Sequence, residues 1–182
     1  MKRRLRYGPV MVPLILFSLF LAVTAYADVR IQCPGDTDGD GISEDPNIVC
    51  RHITGGDGYA TMADGLGLYI FGFGDAEGVF PENVIADLTL KAQLPSPTIV
   101  VKQGQELYLT MTNVGMAVRP DLFDPHSVHW HGFPNAAPIF DGLPEPSPTP
   151  NMGNSLTYYY NAAVPGTYFY HCHVEAAEHM QM

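Results

Sequence analysis

Tyr170-His171-Cys172-His173, followed by His179, is the stretch from which the rest of the chain is read. In an extended strand successive side chains point to opposite faces, so His171 and His173 share one side and Cys172 takes the other. That parity sets two metal positions back to back. A thiolate with imidazoles suits copper in a blue-type site, and a pair of imidazoles suits a second, nitrogen-only site. The covalent path between them is a few bonds long, so an electron entering at Cys172 passes directly to its peptide neighbours.

A second run supplies partners: Pro125-His126-Ser127-Val128-His129-Trp130-His131-Gly132-Phe133. His129 and His131 lie two apart and share a face, whereas His126 has the opposite parity. His126 therefore pairs with Cys172 and His179, and His129 and His131 pair with His171 and His173. A lone histidine is more often an ordinary core or surface residue than a ligand. Here six of the seven histidines fall in two runs around a cysteine, which argues for metal.

These patterns, H-x-x-H-x-H-G and H-C-H with a later histidine, resemble the cupredoxin domains of the multicopper oxidases, the laccase-like enzymes. Leu94-Pro95-Ser96-Pro97-Thr98-Ile99-Val100-Val101-Lys102-Gln103-Gly104-Gln105-Glu106 is similar to the opening strand pair of that family. Pro165-Gly166-Thr167-Tyr168-Phe169-Tyr170 is similar to the strand that leads into H-C-H. The resemblance covers residues 55–182. It implies a Greek-key β-sandwich in which His126, Cys172 and His179 hold type 1 copper and accept electrons from a reductant. It further implies type 2 copper at His129 and type 3 copper at His131, His171 and His173, where dioxygen is reduced to water. On that reading Cys172, His129, His131, His171 and His173 carry the catalysis.

The family usually places the next type 1 histidine closer to H-C-H, where Ala177 stands here, so Val174 to Glu178 form a longer spacer. Its weak axial methionine would fall beyond Met182, and Met180 and Met182 sit at other spacings. Its trinuclear centre also takes more histidines than His129, His131, His171 and His173, drawn from the junction of two domains. The resemblance therefore implies a second cupredoxin domain or subunit and a sequence incomplete at its C-terminus. An isolated monomer is expected to bind copper weakly and to lack oxygen reductase activity.

At the other end, residues 1–27 read as an export signal. Lys2, Arg3, Arg4 and Arg6 form the basic end, Val10 to Val23 the apolar run, and Ala25-Tyr26-Ala27 a small-x-small cleavage site. No later apolar run is long enough to span a bilayer, so the expected location is periplasmic or extracellular with no stable membrane anchor. Without that segment the chain carries 5 Lys and Arg against 19 Asp and Glu, a formal charge of −14. Such a surface disfavours nucleic acid and anionic membranes.

Residues 28–54 form an acidic, loop-rich extension. Asp36, Asp38 and Asp40 alternate before Gly41, a pattern that can wrap a calcium ion and resembles EF-hand loops, although Asn47 stands where an EF-hand places glutamate. The competing reading is a solvated acidic turn. With Cys172 reserved for copper in an exported chain, Cys33 and Cys50 are left as the disulfide pair.

From Gly65 to Gly74 glycine is too frequent for a helix, and Leu68, Ile70 and the aromatics Tyr69, Phe71 and Phe73 suit a strand covered on both sides. Strands are also expected over 84–94, 98–101, 106–114, 155–161 and 166–173. Leu107, Leu109 and Met111 keep period two, and no segment is long and periodic enough for a major helix. Many short strands separated by turns predict an all-β sandwich. Residues 134–150, rich in proline, are expected to cross the surface near the histidines without joining a ladder. Tyr158, Tyr159, Tyr160, Tyr168 and Tyr170 are read as strand formers rather than redox relays.

The function expected from this resemblance is a copper-dependent oxidase domain that couples one-electron oxidation of a phenol, aromatic amine or metal ion to reduction of dioxygen. Two alternatives remain. A copper nitrite reductase shares the sandwich but as a rule has no histidine where His173 follows the cysteine. A blue-copper electron carrier needs only His126, Cys172 and His179.

Overall fold

In the computed structural model residues 29–175, 178–179 and 181–182 are described. The export signal read over 1–27 lies outside the described residues, as do Ala177 and Met180. A four-stranded sheet dominates, in the order β2-β1-β3-β5, with β1 at Ile48–Thr61, β2 at Gly67–Asp75, β3 at Glu106–Gly115 and β5 at Ser155–Asn161. Two short strands, β4 (His129–Trp130) and β6 (Tyr170–His171), pair as a separate ribbon in which His129 faces His171. β1 pairs antiparallel with β2 and parallel with β3, a crossing connection that a simple meander would not produce. No helix among the described residues is long and apolar enough to cross a membrane.

Period two in the sequence becomes two faces in the sheet. Ile53, Phe73, Leu107, Leu109, Met111, Tyr158 and Tyr160 point inward and pack on Val128, Cys172 and Val174 from the β4–β6 layer. Each such side chain, once fully buried, contributes on the order of 1.5–3 kcal/mol, so this one apolar layer couples the sheet to the ribbon that carries the histidines. The fold is thus the expected sandwich. Glycine explains the other face of the β1–β2 hairpin. A Cβ on Gly58 would lie 2.7 Å from the Ala92 carbonyl oxygen, and one on Gly74 would lie 2.9 Å from that of Lys91. The 91–93 segment lies directly on the hairpin, with Ala92 N–H donating to Asp57 O and Gln93 N–H to Phe73 O.

Three expected strands differ. Residues 84–94 instead begin with a single helical turn, α1, at Val84–Leu88, which follows a 3-10 turn at Pro81–Asn83. Proline at the start, where an N–H would be unpaired anyway, and Glu82 in the first turn favour the helix. Residues 98–101 keep the alternation of burial, with Ile99 and Val101 half-buried against the core, but form no ladder. Pro95 and Pro97 remove N–H donors there, and Tyr170 Oη–H bonds the Pro97 carbonyl at 2.6 Å. The strand expected over 166–173 is paired only at Tyr170 and His171, because Cys172 N–H turns to the Met182 carbonyl at 3.0 Å.

The acidic extension is tied down by the Cys33–Cys50 disulfide, whose second cysteine belongs to β1. Closing that loop removes disorder from the unfolded chain, worth about 3 kcal/mol in the chain-entropy model. Ser155 clasps the backbone of Arg30, accepting from its N–H and donating to its carbonyl.

Candidate metal centre

Asn113 and Tyr158 place His126. Asn113, fully buried at the β3 bulge, donates through Nδ2 to the carbonyls of Asp124 and Pro150, at 2.8 and 3.1 Å. Val128 N–H donates to Tyr158 Oη, and His173 N–H to Ser127 Oγ. The 124–128 segment is therefore held on both sides of His126. Gly55, on the inner face of β1, makes room for the ring: a Cβ there would lie 3.0 Å from His126 Cδ2 and 2.9 Å from Met182 Cε.

His179 arrives by a tight turn. Glu175 adopts φ 43°, in the left-handed region, and its carbonyl accepts the N–H groups of both Glu178 and His179. That turn absorbs the longer spacer and returns His179 Nδ1 to 3.6 Å from Cys172 Sγ. The His126 and His179 rings lie 4.8 Å apart between centroids. One ligand atom from each of His126, Cys172 and His179 falls within 4.8 Å of the others, and all three residues are buried.

The polar bookkeeping inside this cluster is unusual. Both His126 nitrogens, His179 Nε2 and Asp124 Oδ2 are buried without a hydrogen bond. A buried polar group left in that state costs about 1–3 kcal/mol, so their convergence on a thiol needs an explanation. Burial first, and then the His179 ring, hold His126 down to about 3, which keeps it a neutral imidazole. Burial pushes the Cys172 thiol up. Two imidazoles and a sulfur aimed together, with both His126 nitrogens and His179 Nε2 lacking hydrogen bonds, fit a soft or borderline metal such as copper. Met182 is buried beside His126 and brings a thioether to the same wall, although its spacing from His179 differs from that of the family's axial methionine.

The second cluster opens on the other side of Cys172. Ligand atoms of His129, His131 and His171 come within 4.8 Å of one another, with His131 exposed and the other two half-buried. His173, exposed, lies with its ring 5.4 Å from that of His129 and 5.8 Å from that of His171. His129 Nδ1 is 2.6 Å from the Asp141 carbonyl and 3.4 Å from its carboxylate, and His171 Nδ1 is 3.0 Å from the Cys172 carbonyl. Tying Nδ1 to a carbonyl oxygen orients a ring and leaves Nε2 for a metal. His131 stacks on Phe169 at 4.8 Å. The proline-rich stretch is thus more than a surface crossing: it delivers Asp141 to His129, and Gly142 passes so close to the Val128 carbonyl that a Cβ would collide with it.

A third grouping joins one carboxylate oxygen each from Asp36, Asp38 and Asp40 within 4.8 Å, on an exposed turn. Those oxygens are already engaged. Asp36 accepts from Gly39 and Gly41 N–H, Asp38 from Asp40, and Asp40 from Ile42. A cavity of 720 Å³ lined by Pro97, Ile99, Trp130, Tyr160 and Tyr168 lies elsewhere and is lined by no histidine.

The structure groups six of the seven ligand candidates as the sequence paired them, and sets the ring of His173 beside the second group. Sequence reasoning missed Asn113, Asp124, Asp141, Gly55 and Tyr158, whose roles depend on contacts between distant segments. The frequency of glycine in Gly55-Gly56-Asp57-Gly58 was the one available hint.

The family model described as multicopper oxidase matches residues 82–182. Over 86 residues the chain is 35% identical to multicopper oxidase VdtB of Byssochlamys spectabilis, covering 46% of this chain and 12% of that protein. Over 91 residues it is 33% identical to multicopper oxidase MmcO of Mycobacterium tuberculosis, covering 50% of this chain and 16% of that protein. Among solved structures, multicopper oxidase mgLAC superposes with a TM-score of 0.51 at 28% identity, over 72% of this chain and 35% of that one. The chain thus spans only a small part of the length of the curated relatives it matches.

Proposed function

Because the chain belongs to the multicopper oxidase family, we propose that it forms one cupredoxin domain of a copper oxidase and acts with a second domain or subunit. The observation that carries this reading is the buried convergence of His126, Cys172 and His179, with both His126 nitrogens and His179 Nε2 unsatisfied, joined through the peptide neighbours of Cys172 to the His129–His131–His171 cluster. Copper held at these positions would supply one-electron transfer at the thiolate and reduction of dioxygen to water at the histidines, four electrons and four protons per molecule. The chain's own residues do the rest. The parity of β6 keeps the thiolate and the imidazoles on opposite sides of one strand. Burial keeps water from the first cluster, and Asp141 fixes the ring of His129. His173, with His131, faces outward, where a second domain would add further histidines.

The expected reductant is a phenol, an aromatic amine or a metal ion, and the expected location is periplasmic or extracellular after removal of residues 1–27. The test is copper loading of the chain alone and of the chain extended into a second histidine-rich cupredoxin domain. The chain alone should give a blue thiolate absorption with weak copper retention and no oxygen uptake, and the extended form should consume oxygen with a phenol. Full oxygen turnover by the isolated monomer would overturn the two-domain reading. Absence of any blue absorption would overturn the thiolate assignment.

A further inference from the structure

The thiolate cluster is sealed, with His126, Cys172 and His179 at 0, 4 and 1% exposure. Electrons from a reductant therefore have to reach it through protein. One row of rings leads out. The antiparallel register sets Tyr59 opposite Tyr69 and Asp57 opposite Phe71, so all four side chains lie on the inner face of the β1–β2 hairpin. His179 meets Phe71 edge-on at 5.9 Å between centroids, Phe71 meets Tyr69 at 5.5 Å, and Tyr69 meets Tyr59 at 5.6 Å. Tyr59 is 58% exposed. Tyr69 Oη–H donates to Asp57 Oδ2 at 2.8 Å, Val118 N–H donates to the same oxygen, and Asp57 Oδ1 is buried with no partner.

We propose that Tyr69, with Asp57 as its proton acceptor, is the one-electron relay between a reductant at the exposed Tyr59 edge and the buried His126–Cys172–His179 cluster. The proposal rests on the copper reading above. Its chemistry balances in two steps. Tyr69 gives one electron, by way of Phe71 and His179, to the oxidised copper that those ligands would hold. Its phenolic proton moves along the existing hydrogen bond to Asp57, leaving a neutral phenoxyl radical and a carboxylic acid. The reductant then returns one electron to Tyr69, Asp57 returns the proton, and both groups are as they began. Phe71 is a packed bridge and is not itself oxidised. Burial first, and the bond to Asp57 next, hold the Tyr69 phenol well above its ordinary range, so it waits as a neutral phenol. A purely structural role for the pair would be to pin the Val118 segment to the hairpin.

The test is rapid-mixing bleaching of the blue absorption in the copper-loaded chain by ferrocene tethered to dextran, a donor too bulky to reach His179. Tyr69→Phe, which keeps the ring, and Asp57→Asn, which keeps an acceptor oxygen, should each slow bleaching at least about tenfold without changing the band itself. Wild type should show a solvent deuterium isotope effect that Tyr69→Phe lacks. Val118→Pro removes the N–H that anchors the neighbouring segment without touching the Tyr69–Asp57 bond, and should leave both rate and isotope effect in place. Unchanged rates in Tyr69→Phe and Asp57→Asn beneath an intact band would overturn the relay and leave the copper reading standing. Equal slowing in Val118→Pro would also overturn it, in favour of the structural role. A wild-type chain without the band would remove the copper reading, and the relay with it.

Discussion

Two regions of this molecule gather potential metal ligands, and they differ in what those ligands do when no metal is considered. In the cluster of His126, Cys172 and His179, ligand atoms are buried and brought in from two distant segments, and both His126 nitrogens and His179 Nε2 are left without hydrogen-bond partners. In the Asp36–Asp38–Asp40 turn, the carboxylates are exposed or half-buried, lie within five residues, and each already accepts an N–H of its own turn. The first arrangement raises the energy of the fold unless something binds. The second is satisfied as it stands. Convergence alone therefore says little; convergence with burial and unmet polarity says much more.

The largest expected effect strikes the first region. Cys172→Ser should abolish the blue absorption of the copper-loaded chain while the far-ultraviolet spectrum stays that of a β protein. An unchanged visible spectrum would dissolve the contrast, because the sulfur would then be an ordinary buried thiol.

Next comes a control on burial itself. His52, in neither region, is buried with Nε2 2.8 Å from Thr112 Oγ1, and burial holds it down to about 4. Between about 4 and the ordinary 6.5 the unfolded chain binds the proton and the folded chain does not. Stability should therefore rise with pH across that window, by about 3 kcal/mol at most, and be lost as pH falls back through it. Denaturant titrations at pH 4.5 and 7 should show this slope in wild type and a flatter one in His52→Gln. Equal slopes would mean that burial at this depth does not perturb a histidine, weakening the same argument for His126.

A pair of glycines compares the regions sterically. Gly55→Ala pushes a methyl group against His126 and Met182 and should cost about 1–3 kcal/mol while weakening the blue absorption. Gly41→Ala, at φ 83° with nothing within 4 Å, should cost about 1–2 kcal/mol through backbone strain alone and leave the absorption untouched. A spectral change from Gly41→Ala would break the separation of the two regions.

The smallest effect belongs to the turn. Millimolar calcium should stabilise the chain by no more than about 1 kcal/mol, as mass action allows for a weak extracellular-type site, and Asp38→Ala with Asp40→Ala should erase the shift. A rise in thermal midpoint as large as that produced by copper would place the turn beside the thiolate cluster as a true metal centre.

Strand parity explains why so much of the site was legible. Alternation in the H-C-H stretch and in the His129–His131 pair is local, depends only on extended backbone, and survives any tertiary detail. The Leu107–Leu109–Met111 alternation was readable for the same reason. Residues 84–94 were not, because a run of apolar residues is compatible with strand and helix alike, and proline at the start of the turn decided it. The tyrosines of β5 were weighed as redox relays in the sequence, whereas Tyr69 was read only as a strand former, since its ring contacts and its bond to Asp57 depend on the hairpin register.

From the sequence alone follow the all-β class, the ligand types and the sorting of seven ligand candidates into two groups, because these rest on composition, periodicity and short spacings. Only the tertiary structure decided that Glu175 turns His179 back to Cys172, that Gly55 opens a place for His126, and that Asp141 and Asp57 arrive beside His129 and Tyr69. Each of those depends on backbone torsion or on contact between segments far apart in the chain, where packing and hydrogen-bond satisfaction, not local pattern, select the arrangement.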